Sequence, residues 1–264
     1  MINVLYLGVI DYAAALELQH TLVELRKQDR IGDTLLLLEH PPVITLGRNA
    51  DARNVLASKE QLAARGVQVC ECDRGGDVTF HGPGQLVGYP IFDLRAFAPK
   101  LGAVDFVRRM EEALIRTCGD LGIPTERVRG LTGVWTSAAG GETPAKIAAI
   151  GVHISRGVTS HGFALNVDND LDFFRLIVPC GISDKSVTSL AEELRRLADL
   201  QKGQELSLEA VAHAVSRNFG RIFAQQTLWL ENLETLLGSA SPSDTPMKPP
   251  AELRALHEED IFLA

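Results

Sequence analysis

Four segments of this 264-residue chain carry residue types that can do chemistry. The first is Val178-Pro179-Cys180-Gly181-Ile182. A cysteine between proline and glycine lies on a bend, which exposes the sulfur and leaves backbone N–H groups nearby. That suits a nucleophile with an oxyanion site. The competing reading is a small buried hydrophobe, and it is the one adopted for Cys70, Cys72 and Cys118. The second segment is Pro144-Ala145-Lys146-Ile147-Ala148-Ala149-Ile150-Gly151-Val152-His153-Ile154. Lys146 opens an apolar β-type run, so it is either a solvated strand end or an amine held in a low-dielectric site.

The third segment runs from Arg74 to Gln85, Arg-Gly-Gly-Asp-Val-Thr-Phe-His-Gly-Pro-Gly-Gln. Its glycines let backbone N–H groups approach a bound group, and Arg74 and His81 add a cation and a tunable donor. A hairpin with tight turns is the plainer alternative. It is not a phosphate loop, because it has neither a Gly-Lys-Ser/Thr ending nor a Gly-x-Gly-x-x-Gly opening a helix. The fourth is Ser160-His161-Gly162-Phe163-Ala164-Leu165-Asn166-Val167, where Gly162 and Ala164 are small residues in a strand pattern. They mark either a close ligand approach or ordinary sheet packing.

The elements that must hold these segments read as follows. Residues 2–7, 33–39, 43–46 and 67–73 are strands; so are 132–136, 145–155 and 158–167. Residues 11–28 form a helix capped by Asp11. Ser58 and Gln61 make a capping box for a short helix over 59–65, ended by Gly66. The amphipathic helix over 103–121 aligns Val107, Met110, Leu114, Cys118 and Leu121, and a second over 207–225 aligns Leu208, Val211, Val215, Phe219 and Ile222. Residues 238–264 are Ser/Pro-rich at first and read as a flexible tail. One mixed α/β catalytic domain over 1–237 is expected, followed by that tail.

Composition narrows the function. Hydrophobic residues are 45% and charged residues 23%, ordinary for a globular chain. A formal net charge of -8 argues against a general nucleic-acid binder. The N-terminus lacks the basic n-region of a signal peptide, and Asp11 and Glu17 interrupt it well short of a membrane span. The four cysteines match no zinc or Cys-x-x-Cys spacing, so no metal is expected, and free thiols point to the cytoplasm.

Residues 39–48 (EHPPVITLGR), 74–94 (RGGDVTFHGPGQLVGYPIFDL), 145–167 (AKIAAIGVHISRGVTSHGFALNV) and 179–182 (PCGI) together resemble the lipoyl(octanoyl) transferases. The resemblance runs in order over residues 1–225. It implies a biotin/lipoate-protein ligase-like fold, a mixed, mostly antiparallel β-sheet flanked by helices. It implies transfer of an octanoyl group from octanoyl-acyl carrier protein, through a thioester on Cys180, to a lysine of lipoyl domains. The acceptors it implies are the lipoyl domains of 2-oxoacid dehydrogenase E2 subunits and the glycine-cleavage H protein.

By the same resemblance, Cys180 is the acyl-thioester cysteine and Lys146 the lysine that lowers its pKa. The acyl-binding stretches are Arg74, Gly75, Gly76, Asp77, Val78, Thr79, Phe80 and His81; Ala149, Ile150 and Gly151; and Gly162, Phe163 and Ala164. No cofactor is implied. Phe80 stands where the family often has tyrosine, and the Gly140-Gly141-Glu142 loop and the tail are peculiar to this chain. Because carrier proteins are acidic, a local basic rim is expected, with Arg74, Arg156 and Arg48 as candidates. Three rival readings remain. One is an ATP-dependent lipoate- or biotin-protein ligase. Another is a hydrolase pairing Cys180 with His81, His153 or His161, and the last is a silent carrier-binding module.

Overall fold

The run Leu35–Leu38 shows how the layers are arranged. It lies in strand β2 (Asp33–Glu39), buried on both faces. Leu35 and Leu37 join the core beneath helices α3 (Ala103–Asp120) and α5 (Leu208–Phe223). Leu36 and Leu38 join a second core beneath α1 (Tyr12–Lys27) and α6 (Leu233–Gly238). A strand covered on both sides by helices has no polar face to alternate. The computed structural model describes residues 1–137, 143–179, 186–197 and 206–238.

The other strands of the large sheet are β1 (Ile2–Val9), β6 (Gln85–Ile91), β7 (Thr125–Val128), β8 (Leu131–Thr136), β9 (Lys146–Ser155), β10 (Val158–Asn166) and β11 (Thr227–Trp229). Their order is β11-β1-β2-β6-β10-β9-β8-β7. Strand β1 pairs in parallel with β11 and β2, and every other pairing is antiparallel. The expected mixed, mostly antiparallel sheet with flanking helices is therefore present. A small second sheet has β3 (Val43–Leu46) between β4 (Gln68–Glu71) and β5 (Val78–His81).

Local signals explain the helix starts. The Asp11 carboxylate accepts from the N–H groups of Ala13 and Ala14, and Ser58 with Gln61 closes the capping box of α2 (Lys59–Ala64). On α3, Met110, Leu114 and Cys118 are fully buried, while Val107 and Leu121 sit at the margin of the same core.

Three details differ from the sequence reading. Residues 74–90 are not a paired hairpin, because β5 joins the small sheet and β6 the large one, so Gly82-Pro83-Gly84 carries the chain between sheets. The short strands β7 and β11 and the short helices α4 (Leu190–Arg196) and α6 have too few residues to display a period, and sequence did not reveal them. Finally, the chain is still helical at Gly238, where the tail was expected to begin. The remainder of that tail and Gly140-Gly141-Glu142 lie outside the described residues, as do Cys180, Gly181 and Ile182.

Candidate active site

The antiparallel pairing of β9 with β10 makes the floor of the site. Gly151 faces Gly162 and Ala149 faces Ala164 across the ladder. These four small residues leave an open cleft of about 480 Å³, its mouth included. Its wall is the 74–77 loop, joined by Thr79 and His81, with Tyr12 of α1 and Tyr89 of β6 behind. Val87, Ile150, Phe163 and His161 complete the lining.

Glycine permits the closeness of these layers. The Gly75 N–H donates to the Val152 carbonyl at 3.0 Å, pinning the loop onto β9. A Cβ at Gly151 would stand 2.6 Å from the Gly75 oxygen, and one at Gly162 would stand 2.2 Å from the Gly88 oxygen. Both distances are shorter than van der Waals contact, so no side chain fits.

Twelve of the fourteen anticipated acyl-binding residues thus meet in one cleft. The other two, Val78 and Phe80, do not line it. They alternate with Thr79 and His81 along β5, so their side chains enter the small core with Ile44, Leu62 and Val67. Phe80 stacks on Phe173 at 4.7 Å between ring centroids. A phenolic hydroxyl at that position would point away from the cleft, so its absence leaves the cleft wall unchanged.

Arg74 is a brace and not a rim residue. It is buried, and its guanidinium donates to Thr45 Oγ1, the Thr45 carbonyl, the Asp77 carbonyl and the Gly75 carbonyl at 2.7–3.1 Å. A forked donor held by four acceptors fixes the loop and offers nothing to a protein partner. This corrects its assignment to a basic rim. Arg48 and Arg156 are exposed.

The histidines behind the cleft are neutral donors and acceptors. His81 is buried, which drives its pKa down to about 3. Its Nδ1 lies 2.8 Å from Gln85 Oε1. The Gln85 amide is oriented by donating to the Phe80 carbonyl and to Asn166 Oδ1, so Oε1 accepts and His81 Nδ1 carries the proton. Burial likewise lowers His40 to about 4. Its Nδ1–H donates to the Ile10 carbonyl, and its Nε2 accepts from the Tyr89 hydroxyl, both at 2.7 Å. Burial pushes Tyr89 well above the usual phenol range, which keeps that hydroxyl protonated. His161 is lowered by burial against the pull of Asp73, to which its Nε2 donates at 2.7 Å.

A second cavity, of about 270 Å³, adjoins the first; both share Thr79, Ala149 and Ala164. It holds Lys146 together with Gln85, Asn166, Phe174, Pro179 and Val187. Lys146 is buried, 7% exposed, which selects the low-dielectric reading over the solvated one. Its Nζ lies 4.8 Å from the centre of the Trp135 ring. Its backbone N–H donates to the Ser186 carbonyl, and its carbonyl accepts from Thr188, both at 2.9 Å.

Sequence reasoning gave no role to Tyr12, Tyr89, Trp135 or Asn166. Tyr12 and Trp135 are buried. Only three tyrosines occur in the chain, and two of them lie at this cleft, a signal that composition alone carried.

A family model described as the lipoyl protein ligase A/B catalytic domain matches residues 11–220. The chain belongs to that family. It is 64% identical over 263 residues to an octanoyltransferase of Koribacter versatilis, covering 100% of both chains. With an octanoyltransferase of Acidobacterium capsulatum it shares 61% over 242 residues, 90% of this chain and 96% of the relative. It is accordingly an enzyme of the acyltransferase class. The fold matches a bi-partite lipoate protein ligase from Thermoplasma acidophilum with a TM-score of 0.63 at 17% identity, over 89% of each chain. It also matches a lipoate-protein ligase A bound with ATP, with a TM-score of 0.64 at 16% identity, over 89% of this chain and 92% of that one. These likenesses establish the fold. Among the described residues no helix is long and apolar enough to cross a membrane, and no cluster of His, Cys, Asp and Glu is placed to hold a metal.

Proposed function

We propose that the chain transfers an octanoyl group from octanoyl-acyl carrier protein to a lysine of lipoyl domains, through a thioester on Cys180. The observation that carries this reading is that Pro179, bonded directly to Cys180, lines the same cavity as Lys146. Downstream, Ser186 and Thr188 hydrogen-bond to the Lys146 backbone. The stretch containing Cys180 thus leaves from and returns to the neighbourhood of one buried lysine. The names of the relatives supply the acyl group.

The chemistry follows from that proximity. A free thiol titrates near ~8.5, and lowering it to about 7 needs roughly 2 kcal/mol of differential interaction. An ammonium in a partly desolvated cavity supplies that much. The Cys180 thiolate attacks the donor carbonyl, and Lys146 protonates the departing pantetheine sulfur. The acceptor amine then attacks the Cys180 thioester while neutral Lys146 takes its proton. The acyl chain passes Thr79, Ala149 and Ala164 into the larger cleft, along residues 74–77, 149–151 and 162–164. Burying about six methylenes contributes roughly 5 kcal/mol at ~0.8 each. A thioester is already activated, so the transfer needs no ATP.

The acceptors in this reading are the lipoyl domains of 2-oxoacid dehydrogenase E2 subunits and the glycine-cleavage H protein. The catalytic domain is residues 1–237, the remainder is a tail, and the setting is the cytoplasm. The test is intact mass after mixing with octanoyl-acyl carrier protein without ATP. The wild type gains one octanoyl on Cys180, Cys180→Ser gains none, and Lys146→Ala loads far more slowly. A requirement for ATP, with no mass gain in its absence, would instead favour the ligase mechanism of the structural relatives.

A further inference from the structure

The tetrahedral intermediate of acyl transfer carries an oxyanion, and the cavity around Lys146 contains a side chain suited to it. Asn166 is 4% exposed and lines that cavity. Its amide cannot turn over. Oδ1 accepts from Gln85 Nε2 at 2.9 Å, and Nδ2 donates to the Thr188 carbonyl at 2.9 Å. A flip would set amide against amide and carbonyl against carbonyl, losing both bonds. Gln85 is itself held by Phe80 and His81, so the whole row Phe80, His81, Gln85, Asn166, Thr188 is locked.

A primary amide has two N–H groups. One N–H of Asn166 is used on Thr188, and among the described residues the other has no acceptor. A buried donor without an acceptor is costly unless a bound group completes it. The donor shares its cavity with Lys146 and Pro179.

We infer that Asn166 is a further catalytic residue, whose second Nδ2–H donates to the oxyanion formed when octanoyl is loaded. The inference rests on the thioester reading above. The Cys180 sulfur forms a bond to the carbonyl carbon, and the π pair moves onto oxygen, where Asn166 donates. On collapse the pair returns, the bond to the pantetheine sulfur breaks, and Lys146 gives that sulfur a proton. A donor fixed before reaction costs no reorganisation when charge develops. Removing a side-chain amide of this kind lowers kcat on the order of 10²-fold or more.

The test loads enzyme with octanoyl-acyl carrier protein whose acyl carbonyl is ¹³C-labelled. It reads both the loading rate by intact mass and the carbonyl stretch of the acyl-enzyme by infrared difference spectroscopy. Asn166→Ala is expected to load on the order of 10²-fold more slowly at saturating donor, with KM little changed. Its carbonyl band moves up toward that of a free thioester. Asn166→Asp retains the acceptor for Gln85 but lacks the N–H, and the same two changes are expected if the alanine variant does not fold. Loading within threefold of wild type, or an unmoved band in both variants, overturns the assignment. A wild-type enzyme that takes no octanoyl mass overturns the thioester reading as well, whereas equal loading of wild type and variant overturns only the role of Asn166.

Discussion

The Lys146 ammonium stands over the Trp135 indole, 4.8 Å from the ring centre. Trp135 is fully buried at the end of β8, and Gly133 two residues earlier has φ +122°, where a Cβ would meet the Ala148 oxygen at 2.6 Å. The strand is thus shaped to bring an aromatic face under the lysine. Such a pair contributes about 0.5–2 kcal/mol. Trp135→Phe weakens the ring field and leaves a void. Octanoyl loading is expected to fall about 3- to 30-fold, with a stability loss of about 1–3 kcal/mol. Stopped-time mass measurement and denaturant unfolding check the two separately.

Acid should unfold this protein early. His81 and His40 are held near 3 and 4 by burial, below the ordinary 6.5. Between those values the unfolded chain binds protons that the folded chain does not, so stability falls as pH drops from about 6.5 toward 4. A loss of several kcal/mol is expected, at about 1.4 kcal/mol for each pH unit per histidine. Denaturant unfolding of wild type and His81→Gln at pH 7, 6, 5 and 4 tests this. The variant should show a shallower decline, and equal slopes would refute the account.

Arg74→Lys separates bracing from partner docking. A single ammonium cannot replace a fork bonded to Thr45, Gly75 and Asp77. The expected cost is about 1–3 kcal/mol of stability and a raised KM. The salt dependence of donor binding should stay as in wild type, whereas changing the exposed Arg48 and Arg156 to Glu should flatten it.

Gly151→Ala probes the cleft floor. Its new Cβ would press on the Gly75 oxygen at 2.6 Å and push the loop outward. A loss of about 1–3 kcal/mol is expected, together with weaker discrimination between octanoyl and shorter acyl donors. Competition between octanoyl and hexanoyl carrier proteins reads the second effect.

Much of this architecture was legible because its signals are local. Asp11, Ser58 and Gln61 announced helix starts, and the apolar run over 33–39 announced a strand. The glycine-rich and small-residue segments stood out in the sequence, but their meeting in one cleft was not visible, since it depends on the β9–β10 register and on Gly75 reaching Val152. Alternation along β5 explains Val78 and Phe80: a contiguous motif in sequence is divided between two faces by a strand. Arg74 read as a surface cation because residue type says nothing of the four acceptors that enclose it. Asn166 was hidden for a related reason, as its partners lie 81 and 22 residues away.

The tether around Cys180 has a consequence for how this catalyst can vary. Pro179 on one side and Ser186, Val187 and Thr188 on the other are all fastened beside one lysine. Closing a short chain between neighbouring fixed points costs little and depends only weakly on its length. A change of length between Cys180 and Ser186 would therefore leave the cavity around Lys146 in place, since both moorings stay where they are.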